Sequence, residues 1–321
     1  MAGPPARHID TLLLLGLPAC GKSVIRCYLS AEANHSLEAG LGPTIQLDDF
    51  PYVAFMWQIH GIVAEAGFGP TFFDDTGVRF ADLRAWSALI HLINEDHAAL
   101  VDPRPVPERP AGWVIERLEH AYALAGIGSP FTGLPTAARQ AALDGIAGAA
   151  EAFATEWVAR GRPPGSTVVI EFARGGPADA DPPMTPPFGY GHAFSLLSAE
   201  ILRRAAVLYV WVTSEQSRAR NHERARPGAQ GTTLHHAVPD AAMDAYYGRD
   251  DMNWLIEQSD HPDTITVRAH GSTYHMPFAR FDNRREVAAL RGDEPPGQGR
   301  EIDERTSSGL RAAFEKLARP S

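Results

Sequence analysis

The segment Thr11-Leu-Leu-Leu-Leu-Gly-Leu-Pro-Ala-Cys-Gly-Lys-Ser23 decides the fold of this 321-residue chain. Its first five residues form an apolar run typical of a buried strand, and residues Val24 to Ser30 are compatible with a helix. Between them, Gly16 to Ser23 match the complete pattern G-x-x-x-x-G-K-[ST], a loop whose backbone amides surround phosphate groups. Strand, loop and helix therefore follow one another in the order that this phosphate-binding motif requires.

Three physical features of the loop predict its ligand. Glycines let successive N–H groups converge, the helix N-terminus adds about half a positive charge, and the Lys22 ammonium reaches the outer phosphates. We therefore expect a nucleoside triphosphate, ATP, with the Ser23 hydroxyl on Mg²⁺ beside the β- and γ-phosphates. The predicted nucleotide-binding residues of the loop are Gly16, Pro18, Ala19, Cys20, Gly21, Lys22, Ser23 and Val24. The structural alternative is a glycine turn that binds nothing.

Composition narrows the class of protein. A formal net charge of −10 argues against broad binding of nucleic acids or anionic membranes. The two cysteines, Cys20 and Cys27, form no disulfide framework, and no apolar stretch reaches membrane-spanning length. Residues Met1 to Asp10 lack the parts of a signal peptide. We expect a cytoplasmic enzyme whose partners are a nucleotide and a small-molecule acceptor; its oligomeric state stays open, a homodimer included.

Short apolar strands alternate with longer helical patterns along the chain, which predicts an α/β fold with a mostly parallel, five-stranded sheet between helical layers. The predicted strands are Thr11–Leu15, Pro43–Leu47, Thr167–Phe172, Ala206–Val212 and Thr264–Ala269. A helical insertion is expected at about 53–165, too long for a simple crossover. Residues 1–291 form the predicted main domain, followed by a loose tail at 292–321 that contains a short helix at Gly309–Leu317.

The second predicted strand ends in Gln46-Leu-Asp-Asp-Phe50, where Asp48 should face the phosphates because the carboxyl ends of parallel strands line the ligand crevice. With the loop, this motif resembles the uridine kinase and nicotinamide riboside kinase group of P-loop kinases, whose second strand ends similarly. The resemblance implies a P-loop NTPase three-layer sandwich in which Asp48 accepts the proton of the substrate hydroxyl. We assign Asp49 to Mg²⁺. The alternative is a pair of aspartates that cap the turn before Pro51.

The third predicted strand ends in an acid, and an arginine follows in Glu171-Phe-Ala-Arg174. A carboxylate at this strand end can hold a Mg²⁺-bound water, and Arg174 can neutralise a phosphoryl or acceptor oxygen. The pair is similar to the Glu-Arg element after the third strand of deoxynucleoside kinases, with wider spacing. The alternative is an internal Glu171–Arg174 ion pair.

An arginine-rich segment follows the fourth predicted strand. It contains Arg218, Arg220, Arg224 and Arg226 and ends in Pro227-Gly228. The kinase resemblance implies an arginine-bearing lid here, at about 214–235, with Arg220 and Arg224 on the transferring phosphoryl group and Arg218 on the nucleotide. The alternative is a solvated helix face paired with Glu215 and Glu223.

These motifs together predict an ATP-dependent kinase that transfers the γ-phosphoryl group to a small-molecule acceptor. The resemblance favours a nucleoside, with sugars, antibiotics and nucleotides behind it. Aromatic residues after Asp49 either line the acceptor pocket or belong to the core: Phe50, Tyr52, Phe55, Trp57, Phe68, Phe72 and Phe73. A P-loop ATPase and a kinase acting on nucleic-acid ends are the alternative functions. A guanine-reading Asn-Lys-x-Asp sequence is excluded, because the only lysines are Lys22 and Lys316.

Overall fold

The computed structural model describes residues 7–30, 40–102, 105–224, 237–285 and 304–318. These residues contain a six-stranded sheet with the order β2-β3-β1-β4-β6-β5. Its strands are β1 (Thr11–Leu15), β2 (Thr44–Asp48), β3 (Thr167–Phe172), β4 (Ala205–Trp211), β5 (Thr264–Ala269) and β6 (Ser272–Asp282). All neighbouring strands run parallel except β5 and β6. The expected α/β fold with a mostly parallel sheet is therefore confirmed.

The expected number of strands was wrong at one edge of the sheet. Segment Thr264–Ala269 is not the fifth parallel strand but an antiparallel edge strand, and the fifth parallel strand is β6. A two-residue turn joins them, with positive φ of 52° at His270 and 71° at Gly271, the geometry of a type I′ hairpin. We missed β6 because its alternating polar residues and Pro277 weaken the strand signal. Since the hairpin reverses the chain, β6 rather than β5 lies beside β4.

Helices cover both faces of the sheet. They are α1 (Lys22–Ser30), α2 (Phe50–Glu65), α3 (Ala85–Val101), α4 (Pro110–Leu124), α5 (Thr136–Ala159), α6 (Gly189–Leu196), α7 (Ala199–Arg204), α8 (Ser214–Arg224), α9 (Asp240–Tyr246), α10 (Met252–Glu257) and α11 (Glu304–Leu317). Leu12 and Leu14 pack in a core with α1 and α11, whereas Leu13 and Leu15 face α3, α6, α7 and α10. This alternation along one buried strand produces three layers.

The last helix extends the core. We predicted a short helix at Gly309–Leu317 within a loose tail, and α11 in fact begins at Glu304. Its Leu310 and Phe314 are fully buried against the sheet. Residues 292–303 of the predicted tail lie outside the described residues. The described helices include none that is both long and apolar enough to cross a membrane.

Four helices between β2 and β3, α2 to α5, build a hydrophobic core of their own. A buried polar cluster ties them together. The Asp96 carboxylate accepts hydrogen bonds from Tyr52 Oη (2.7 Å), Arg117 Nη2 (2.8 Å) and Trp157 Nε1 (2.6 Å). Each of these four residues belongs to a different helix. The charge of Asp96 is thus compensated inside the core, as a buried carboxylate requires.

Candidate active site

The loop between β1 and α1 has the backbone expected of a phosphate cradle. Gly16, Ala19 and Gly21 have positive φ of 149°, 55° and 108°. A Cβ atom on Gly16 would lie 2.4 Å from the Val210 carbonyl oxygen, so only glycine fits there. Ala19 is a non-glycine residue in the left-handed region, a conformation that costs about 1 kcal/mol and is concentrated at functional sites.

Lys22 folds back onto this loop. Its Nζ donates to the carbonyl oxygens of Gly16 (2.8 Å) and Leu17 (3.0 Å), and the residue is only 6% exposed. Cys20 is buried beside it, and burial raises the pKa of the Cys20 thiol. Surrounding elements hold the loop: Gly16 N–H donates to Tyr190 Oη, and Pro18 and Cys20 carbonyls accept from Ser217 and Asn283. Val24 lies in α1, and its N–H donates a hydrogen bond to the Gly21 carbonyl oxygen.

Two predicted catalytic carboxylates lie side by side at the ends of β2 and β3. Asp48 and Glu171 are register partners on the two strands. Arg26, one turn after Lys22 on α1, joins them: its Nη1 donates to Asp48 Oδ2 (2.8 Å) and Glu171 Oε2 (3.1 Å). Two carboxylates that share one cation form a compact acidic site with a net negative charge.

The environment of Asp48 makes its carboxylate unusually basic. Burial raises the pKa of Asp48 to about 6 against the lowering effect of Arg26, and the nearby charges of Glu171 and Asp49 raise it further. A general base works best when its pKa lies near the operating pH. The turn-capping alternative is also partly present, because Asp48 Oδ1 accepts from the Phe50 N–H at 3.2 Å.

Asp49 and Arg174 form a separate pair. Arg174 Nη1 donates to Asp49 Oδ2 at 2.7 Å, and the arginine side chain is only 3% exposed. Its guanidinium carbon lies over the Trp86 and Phe172 rings, 4.8 and 5.1 Å from their centroids. Glu171 and Arg174 therefore do not pair with each other. Glu171 pairs with Arg26, and Arg174 pairs with Asp49.

The arginines of α8 point in different directions. Arg224 lines the cleft beside the loop, and burial lowers its pKa. Within the described part of the chain it forms no hydrogen bond or ion pair. Arg220 donates to the Asn283 carbonyl oxygen at 2.9 Å, and Arg218 pairs with Asp244 in a shallow depression away from the loop. Arg226 and the rest of the predicted lid, 225–235, lie outside the described residues.

One cleft of about 620 Å³ contains the loop, the two carboxylates and a group of aromatic side chains. It is lined at the loop end by Pro18, Ala19, Cys20, Gly21, Lys22, Ser23 and Arg224, and at the apolar end by Phe50, Trp57, Phe73, Phe80, Trp86, Tyr246 and Tyr247. Of the aromatic residues singled out from the sequence, Tyr52, Phe72 and Phe73 are fully buried core residues, and Phe73 also borders the cleft. The cleft thus has a polar end and an apolar end, and Asp48 belongs to the same lining.

Sequence reasoning missed Arg26 and the Tyr246-Tyr247 pair. The spacing of Arg26, four residues after Lys22 on the same helix, was a usable signal because side chains four apart share a face. No local pattern marks the tyrosines, since they reach the cleft from α9, almost two hundred residues after α2 in the sequence.

The cleft offers side-chain oxygens of the kind that bind Mg²⁺. Among the described residues no group of three or more His, Cys, Asp or Glu side chains is arranged for a metal ion. Mg²⁺ typically uses one or two protein oxygens plus substrate phosphates. Ser23, Asp49 and Glu171 line the cleft and offer such oxygens, and one oxygen of each carboxylate is engaged by an arginine.

Comparison of the chain with protein-family models, curated proteins and solved structures gave no match.

Proposed function

We propose that this protein is a P-loop kinase that transfers the γ-phosphoryl group of ATP to a hydroxyl of a small-molecule acceptor. The observation that carries the proposal is the single cleft that contains the glycine-rich loop, the Asp48–Glu171 carboxylates and an aromatic pocket. Phosphoryl transfer needs little covalent chemistry from a protein and depends on positioning and charge stabilisation. The arrangement supports both requirements.

Each residue has a defined role in this proposal. Lys22 leaves the loop carbonyls and binds the β- and γ-phosphates, together with the amides of the loop. Asp48 accepts the proton of the acceptor hydroxyl and orients its oxygen toward the γ-phosphorus. Arg224, which has no partner among the described residues, binds the transferring phosphoryl group. Arg26 is a positioning residue, because it holds the Asp48 and Glu171 side chains in place.

Mg²⁺ would accompany the nucleotide, held by Ser23 and Glu171 and by the phosphates. When bound, it neutralises charge on the β- and γ-phosphate oxygens. Asp49 stays a candidate for the metal beside Glu171, since each carboxylate pairs with an arginine through one oxygen.

The direct test is a coupled ADP-release screen with Mg-ATP over nucleosides, sugars, antibiotics and other hydroxyl compounds. We expect slow hydrolysis of ATP alone and a marked rise in ADP release with the correct class of acceptor. Failure to bind Mg-ATP would contradict the proposal.

A P-loop ATPase is the second candidate, because Glu171, the penultimate residue of the apolar strand β3, lines the cleft with the loop. A carboxylate there can orient an attacking water. Fast ATP hydrolysis without any acceptor, abolished by Glu171→Gln, would favour this candidate over the kinase.

A further inference from the structure

We infer that the acceptor is an uncharged molecule with a flat, largely apolar ring system that carries the reacting hydroxyl. This inference rests on the proposed kinase function and narrows its substrate class. It disfavours sugars and phosphorylated acceptors such as nucleotides.

Stacked rings form the apolar end of the cleft. Trp57 and Phe73 are stacked with centroids 5.8 Å apart, and Phe73 stacks in turn on Phe80 at 5.0 Å. Phe80 meets the Trp86 ring edge-on at 5.0 Å. Trp57 is only partly buried, so one end of this row is open to a ligand. Planar apolar rings are the ligand surface that such a row binds most strongly.

The charges around this end argue against an anionic acceptor. Arg26 is bound to Asp48 and Glu171, Arg174 to Asp49, and Arg160 at the rim to Glu156. Within the described lining, the remaining cations are Lys22 and Arg224, which lie at the loop end. An acceptor carrying a phosphate or carboxylate would therefore meet four carboxylates, those of Asp48, Asp49, Glu156 and Glu171, and no uncompensated cation at this end, a costly arrangement.

A few neutral polar groups remain for the acceptor, because Gln46 Oε1 and Trp86 Nε1 also belong to lining residues and have no hydrogen-bond partner among the described residues. Tyr247 lines the cleft next to the Asp49–Arg174 pair, and burial raises the pKa of its phenol, so it stays neutral. Its hydroxyl has no hydrogen-bond partner in the described part of the chain. These few neutral groups suit one or two oxygen or nitrogen atoms on a mostly apolar molecule better than the many hydroxyls of a sugar.

The experiment measures binding of three probes by equilibrium dialysis: 2-naphthalenemethanol, 2-naphthoate and glucose. The first two share a ring system and differ in charge, and glucose is neutral without a flat apolar face. We expect 2-naphthalenemethanol to bind at least about tenfold more tightly than either of the others, and Trp57→Leu to weaken it about tenfold. Trp254→Leu, which alters a tryptophan of α10 that does not line the cleft, should leave binding unchanged.

Equal binding of the carboxylate, preference for glucose, or unchanged affinity in the Trp57 variant would overturn the inference. Phe50→Leu provides a second variant with the same expected loss if Trp57→Leu does not fold, because Phe50 lines the cleft, meets Trp57 edge-on at 6.5 Å and is only partly buried. Each measurement is made with and without Mg²⁺ and a non-hydrolysable ATP analogue, whose own binding is recorded. Loss of nucleotide binding alone would contradict the kinase proposal, whereas nucleotide binding with the wrong probe preference would contradict only this inference.

Discussion

Asp48 and Glu171 occupy equivalent positions on neighbouring parallel strands, and a single nitrogen of Arg26 donates hydrogen bonds to both carboxylates. Two negative charges thus share one positive charge in the cleft. Because like charges repel in a partly buried site, the proton affinity of Asp48 depends on both neighbours. Arg26 therefore influences the pKa of Asp48.

Lys22→Ala should lower acceptor-dependent turnover by about 10²–10³, the loss caused by removing one preorganised charge-stabilising donor. The chain offers a matched control, because Lys316 is its only other lysine. Lys316 lies on α11, pairs with Asp263 and does not line the cleft. ADP release measures both variants, and Lys316→Ala should keep normal activity. Similar activity in all three proteins would remove the loop from the mechanism.

Asp48→Asn should lower activity but raise the folding stability at pH values above about 6. Turnover should fall by about 10²–10⁴ because the general base is lost. The folded protein binds the Asp48 proton more tightly than the unfolded chain does, since the pKa rises to about 6. Asp48 therefore destabilises the fold progressively as the pH rises from about 4 to 6, and fully above that range. We expect Asn to stabilise the protein by about 2 kcal/mol at pH 8 and by almost nothing at pH 4. Thermal unfolding at both pH values checks this; equal effects would contradict it.

Asp49→Asn is the matched comparison and should behave in the opposite way. It leaves the buried guanidinium of Arg174 without its ionised partner, which costs about 3 kcal/mol of folding stability. Turnover per folded molecule should fall less than in Asp48→Asn. If the two variants exchange these properties in unfolding and activity measurements, the base is Asp49 and the motif has been assigned one residue too early.

Arg26→Gln should move the acid limb of the pH–rate profile upward by about one unit, because the cation that lowers the pKa of Asp48 is removed. The absolute loss of activity should be largest near pH 6.5, and part of the activity should return at pH 8. Arg203→Gln alters a surface arginine paired with Glu200 and serves as the control. An unchanged profile would mean that Asp48 does not titrate in the rate-limiting step.

Arg224→Ala should reduce turnover by about 10²–10³ with a smaller effect on nucleotide affinity, because its charge is placed for the transferring phosphoryl group. Arg218→Ala should change turnover less than twofold, since this arginine pairs with Asp244 outside the cleft. Kinetic constants for ATP and for the acceptor test the contrast. Equal losses would mean that both arginines reach the nucleotide when it binds.

The sequence was sufficient for the parts of the site that are local in the chain. A strand, a glycine-rich loop and a helix follow one another without interruption, so Gly16 to Ser23 could be recognised from spacing alone. Asp48 and Glu171 could be placed near this loop because parallel strands bring their carboxyl ends together. Strand β6 was missed because its hairpin depends on the positive φ of His270, which residue type does not dictate.

The pairing of charges could not be predicted in the same way. The three-residue separation of Glu171 and Arg174 suggested a local ion pair, yet each side chain points to a partner from a different element. Successive side chains leaving a strand diverge, and the partner depends on which neighbour lies on that side. Tertiary context alone decides such choices, including the contribution of Tyr246 and Tyr247 to the cleft.

The buried Asp96 cluster has a consequence for altering acceptor preference. Helix α2 carries Trp57 into the cleft, while its Tyr52 binds Asp96 deep among α3, α4 and α5. Different residues of one helix thus anchor it in the core and line the cleft. Cleft-facing positions of α2 can be varied in a library while its attachment stays intact, so this wall is a suitable starting surface for retargeting the protein to new acceptors.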